Sequence, residues 1–107
     1  MKHIIILLML VLCPLQRTFA QYNTNRLLSS GQSALYYEDY VLSIQYFNQV
    51  LSAKPYLYEP WFYRGLAKFY LDDYSGAESD VSQAITLNPY IYNMYELRGL
   101  CRIRQNN

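Results

Sequence analysis

Apolar residues in the middle of the chain recur at intervals of three and four, and two such runs stand close together. Trp61, Gly65, Lys68 and Phe69 fall on one helical face, and Ala77, Val81, Ala84 and Ile85 on another. Between them Leu71-Asp72-Asp73-Tyr74 reads as a short polar turn. Asn88-Pro89 closes the second run, because proline cannot continue a helix and disfavours helical geometry in the residue before it. Pro60 falls in the first turn of its helix, where a missing N–H costs nothing. The pattern predicts a pair of antiparallel helices within residues 58–91.

The pair is not unique. Gly31, Gly65 and Gly99 are spaced 34 residues apart, and Pro55 and Pro89 share that interval. Asp39-Tyr40 returns as Asp73-Tyr74, Gln49 as Gln83, and Arg64-Gly65-Leu66 as Arg98-Gly99-Leu100. A fixed period of this length marks a tandem supersecondary unit. The units run over residues 24–57 and 58–91, with a partial third, or a capping helix, over 92–104.

In register and content these units resemble the tetratricopeptide repeat. The second supplies Trp61, Gly65, Tyr74, Ala77, Val81, Ala84 and Pro89 at the characteristic positions, departing at Lys68, with Phe69 next to it. The first is looser, with Leu27, Gly31, Ala34, Tyr40, Ser43, Phe47, Val50 and Pro55. The third has only Tyr95, Gly99 and the rest of one helix. The resemblance implies an all-α fold, a short right-handed α-solenoid of antiparallel helix pairs with about two and a half repeats. It also implies a binding scaffold whose first helices line a concave face. The family's contact positions correspond to Asn25, Leu28, Gln32, Leu35 and Tyr36, then Glu59, Phe62, Leu66, Phe69 and Tyr70, then Asn93, Glu96, Leu100, Ile103 and Arg104. The expected partner-binding groove is Leu28, Gln32, Tyr36, Phe62, Leu66, Phe69 and Tyr70. The alternative is that these residues only pack first helices together. Some family members clamp a peptide carboxylate with Lys, Asn and Arg; the matching positions here hold Leu28, Gln32, Tyr63, Asn93 and Leu97, so that mode is not expected.

Three local expectations follow from the register. The glycines permit close helix crossing, with Ala77 and Ala84 acting likewise. Arg64 faces the region of Asp80, and Ser30 and Tyr46 replace both charges in the first unit, which predicts a semi-exposed ion pair worth at most ~1 kcal/mol. The Pro-Tyr-Leu-Tyr and Pro-Tyr-Ile-Tyr segments, at residues 55–58 and 89–92, are expected to staple neighbouring units.

The first twenty residues have a different character. Lys2 and His3 precede an unbroken apolar run over residues 4–12, and Thr18-Phe19-Ala20 places small residues where a signal peptidase reads. The expectation is a signal peptide over residues 1–20, cleaved after Ala20, leaving a repeat domain over 21–107. The run is about nine residues against the ~20 needed to span a bilayer, which disfavours a retained anchor. Leu12 is larger than the residue usually found before a lipidated cysteine such as Cys13.

Beyond the leader, seven basic and eight acidic side chains remain. That balance excludes the basic stripe of a nucleic-acid binder. Cys101 is then alone, read as a small buried apolar residue, and no histidine is left. Glu38-Asp39 and Asp72-Asp73 fall at matching turns and read as caps rather than catalytic pairs. No phosphate loop or metal spacing is present, so neither enzyme activity nor a cofactor or metal is expected. The reading is an exported, non-catalytic adaptor for a protein or peptide in a bacterial periplasm or cell envelope, without a stable membrane span after cleavage. The runner-up is an accessory module of an envelope enzyme or glycan-uptake complex. The third unit has two readings: a solvated cap carrying Arg98, Arg102 and Arg104, or a piece of a longer array with Tyr95 and Gly99 uncovered. Arg64 and Lys68 hold the same positions within a full unit, which favours the second reading and with it self-association through the unfinished repeat.

Overall fold

The computed structural model describes residues 2–106, with the side chains of residues 11–22 outside the described part. The described residues form five helices: α1 (Lys2–Tyr36), α2 (Tyr40–Ala53), α3 (Tyr58–Tyr70), α4 (Tyr74–Leu87) and α5 (Tyr92–Gln105). Starts of α2 and α4, and of α3 and α5, are in register with the 34-residue period. α1 is longer than the period requires. It runs 35 residues, about 52 Å of helix, without a break at residues 14–17 or at Ala20. Pro14 removes one N–H from the ladder, and the helix continues through it. Residues 2–10 are exposed throughout. The residues around Ala20 and Cys13 belong to the stretch whose side chains are not described.

The turns from α1 to α2 and from α3 to α4 are copies of each other. Each first helix ends on a left-handed residue, Glu38 at φ 65° and Asp72 at φ 64°. The next amide then reaches back into the helix, from Asp39 N to the Ala34 carbonyl at 2.8 Å and from Asp73 N to the Lys68 carbonyl at 2.9 Å. This satisfies carbonyls that the helix end leaves open. Asp39 and Asp73 then cap the second helix, accepting from Leu42 N at 3.4 Å and Gly76 N at 3.0 Å.

The joints between units use a different device. α3 and α5 start after extended Leu57 and Ile91, which provide no side-chain cap. Trp61 Nε1 donates to the Pro55 carbonyl and the Tyr95 hydroxyl to the Pro89 carbonyl, both at 2.8 Å. Tyr56 and Tyr90 point into solvent. In the second and third units the staple is therefore the fourth residue on the preceding proline carbonyl. Of the Pro-Tyr segments, Tyr58 and Ile91 pack against the second unit's core.

Each helix packs on the next. α1 also touches α3 and α3 touches α5, whereas α2 and α4 do not meet. The first helices thus form an inner row and the second helices splay outward, which curves the stack. The second unit's core is Ala77, Val81, Ala84, Ile85, Met94, Leu97 and Cys101. Ser43, Phe47, Val50 and Leu51 do the same work in the first. Cys101 is fully buried and free, and burial, then the Glu78 charge, raises its thiol above the ordinary value. It acts as a small apolar filler.

The three glycines share a register but not an environment. At Gly65 a Cβ would sit 3.2 Å from the Ala77 carbonyl oxygen and from Asp80 Cβ, so two helix backbones cross there. At Gly31 it would meet the ring of Phe47 at 2.5 Å, and that ring is wholly buried. At Gly99 nothing lies within 4 Å. The close-crossing expectation holds for Gly65 and becomes a ring contact at Gly31, and Gly99 is uncovered, with no second helix following it among the described residues.

Candidate partner-binding groove

The inner row puts the expected contact positions on α1, α3 and α5. Leu28 and Gln32 on α1 are half-buried, as are Phe62, Leu66 and Phe69 on α3. Tyr36 is 80% exposed and Tyr70 52%, at equivalent positions of the two helices. On α5, Leu100 and Ile103 are exposed. The row therefore has an apolar floor and an aromatic rim along the ends of the first helices. Tyr70 stacks on Tyr40 with centroids 5.0 Å apart, and Tyr36 meets Tyr37 edge-on at 5.2 Å. Burial, followed by the charges of Glu38 and Tyr70, raises the Tyr40 phenol above its ordinary value.

The floor residues are not equivalent. Phe62, Leu66 and Phe69 all lean partly on the core of α4 and α5. Phe69 is the most committed to packing. Its ring meets Tyr70 and Tyr74 edge-on, and the Arg104 guanidinium lies 5.7 Å from its centroid. Tyr63 stacks on Phe47 across the joint between units, at 5.8 Å. Of the positions matched above to a carboxylate clamp, Leu97 is buried and Tyr63 is committed to this stack.

Behind the row lies an ionic junction. Arg64 meets Asp80 through two nitrogens, Nε and Nη2, each at 2.8 Å. Lys68 Nζ adds a third contact to Asp80 at 3.0 Å, and Arg64 Nη1 donates to Asn48 of α2 at 2.9 Å. The expected pair is present. Its carboxylate, however, is buried rather than semi-exposed, and three helices share it. Ser30, Ala34 and Tyr46 stand one period before Arg64, Lys68 and Asp80. There the first unit has an open depression of about 370 Å³, lined by those residues with Asp39 and Leu42. A second, of about 560 Å³, lies between Leu27 and Asn48, Gln49 and Ser52. The loss of two long cations from the aligned register is the signal that foretells the first.

The chain matches no protein-family model and no curated protein. It is similar to solved structures, among them two of tetratricopeptide-repeat domains. One is the first TPR domain of Spaghetti (RPAP3) bound to the HSP90 peptide SRMEEVD, at TM-score 0.75 and 26% identity, covering 78% of this chain and 67% of that one. The other is the first TPR domain of human RPAP3, at TM-score 0.72 and 26% identity, covering 78% of this chain and 65% of that one. The chain thus spans about two thirds of the length of the domains it matches. The fold is an all-α tetratricopeptide-repeat solenoid.

Proposed function

We propose that this chain is an exported, non-enzymatic adaptor that holds a segment of another protein against the inner row of α1, α3 and α5. The observation that carries the reading is the apolar floor with exposed Tyr36 and Tyr70 above it, in a fold solved elsewhere with a peptide bound. Rigid aromatic rings at a rim bury large areas at low entropic cost. The ligand chemistry differs from a charged C-terminal clamp. The positions that match such a clamp hold Leu28, Gln32, Tyr63, Asn93 and Leu97, none of them a cation, so recognition rests on apolar and aromatic side chains of the segment.

Export rests on the basic start, the apolar run and the Thr18-Phe19-Ala20 site. Among the described residues no helix is long and apolar enough to cross a membrane. The proposed place of action is the periplasm or cell envelope. Two measurements test the reading. N-terminal sequencing of the exported protein should begin at Gln21. A pull-down from envelope extract should recover a protein that the Tyr36→Ala variant retains at least fivefold less well, with thermal unfolding unchanged. Recovery of glycan without protein, or equal recovery by both variants, contradicts it.

A further inference from the structure

The outward face of α5 is built like the face of α3 that receives α4. Tyr95, Arg98, Gly99 and Ile103 stand one period after Trp61, Arg64, Gly65 and Phe69. On α3 those residues are covered. Trp61 and Phe69 pack against the core, Gly65 meets the backbone of α4, and Arg64 is held by Asp80. On α5 Tyr95 is 39% and Ile103 58% exposed, and Gly99 has nothing within 4 Å of where a Cβ would lie.

The charge on this face is set as it is on α3. The Arg98 guanidinium lies over the Tyr95 ring at 5.3 Å, as that of Arg64 lies over Trp61 at 4.9 Å. Arg64 then continues to a carboxylate, whereas among the described residues Arg98 has none at ion-pair distance. Its neighbours are engaged elsewhere. Arg102 reaches back to Glu78 of α4 at 2.9 Å, and Arg104 lies over the rings of Phe69 and Tyr74.

The geometry points to a second docking surface, which adjoins the inner row at Ile103: this face of α5 receives an amphipathic helix of a partner protein with the pattern small-x-x-acidic-aliphatic. The template is internal. Ala77 supplies the small residue beside Gly65, Asp80 the carboxylate for Arg64, and Val81 the aliphatic residue after it. On α5 the partner's small residue lies over Gly99, and its Asp or Glu accepts the Arg98 fork. A bidentate pair of this kind fixes register as well as adding affinity. A second copy of this chain is a poor occupant. Its own Ala77 and Asp80 are buried against α3, and its α5 would set one Arg98 against the other. Like charges facing each other oppose association. This argues against self-association through the third unit.

The test uses the purified protein and a helix-stapled, fluorescein-labelled peptide with the α4 sequence, Tyr74–Leu87, read by fluorescence polarisation. Saturable binding is expected. Arg98→Glu in the protein, or Asp80→Lys in the peptide, should weaken it at least tenfold, and the two changes together should recover most of the loss. Gly99→Leu should abolish binding while the melting temperature stays at the parent value, since that side chain enters open space. Absence of binding overturns the proposal. So does binding that Arg98→Glu and Gly99→Leu leave intact, which would mean that the peptide had displaced α4 from α3.

Discussion

Asp80 is held by Arg64 through a two-nitrogen fork, and this carboxylate is only 3% exposed. With Lys68 on the same oxygen as Arg64 Nε, and Asn48 behind Arg64, the pair joins α2, α3 and α4 at one point. A buried carboxylate between two cations is costly to leave incomplete, because each charge has already lost its water.

Asp80→Ala should therefore destabilise the fold by about 3–5 kcal/mol, since it strands two cations. Arg64→Ala should cost less, because Lys68 still faces the carboxylate. Urea unfolding of the single variants and the double variant would give the coupling. A coupling energy near zero would show two independently solvated charges.

The glycine register predicts three different outcomes from one substitution. Gly65→Ala should destabilise by about 1–3 kcal/mol, because the added carbon is pressed on backbone that cannot yield. Gly31→Ala should be at least as harmful, because the buried Phe47 ring has to move. Gly99→Ala should be neutral or stabilise by up to about 1 kcal/mol, through helix propensity alone. Thermal melts of the three variants, compared in rank order, check this.

Glu38 occupies a left-handed position that glycine adopts without strain. Glu38→Gly should stabilise the protein by about 0.5–1 kcal/mol, the relief of a conformation costing ~1–2 kcal/mol offset by glycine's greater freedom when unfolded. Asp72 is a poorer choice, since it accepts from the Tyr74 hydroxyl at 2.8 Å. Denaturant midpoints of the Glu38 variant decide the matter.

These turns and caps were legible in the sequence because they are local. Asp39 and Asp73 cap helices wherever the chain is placed, and the helix starts follow the 34-residue period. The Arg64–Asp80 contact was legible for a related reason, since both charges are lost together in the first unit. Its depth was not, because burial of Asp80 depends on Lys68 and on how three helices meet. Nor does the register distinguish Gly31 from Gly65, since what faces a glycine belongs to the neighbouring helix. An unbroken α1 is not legible in the sequence, because Pro14 marks a break and the helix continues through it. For the groove, periodicity located the row but not the division of labour in it. Phe69 looks like Phe62 in the alignment, yet Tyr74 and Arg104 claim its ring.

Acid should loosen α5 first. Glu78 accepts from Arg102 at 2.9 Å and Gln105 at 2.7 Å, and these hydrogen bonds lower its pKa. A group lowered in the folded state stabilises it above the unfolded pKa, about 4.3 for glutamate. That contribution is lost as pH falls from there through the lowered folded value. Amide protection factors in α5 should fall over this window more than in α3, and Glu78→Gln should remove most of the difference. A uniform fall across all helices would contradict the assignment.

The central claim is that the inner row binds a protein segment, and chemical-shift mapping tests it most directly. Peptides selected from a random library against the purified protein would be titrated into labelled protein. The account predicts shifts concentrated at Gln32, Tyr36, Phe62, Leu66 and Tyr70, with the exposed sides of α2 and α4 silent. Shifts centred on α2 and α4, or a library that yields no binder to the inner row, would contradict it.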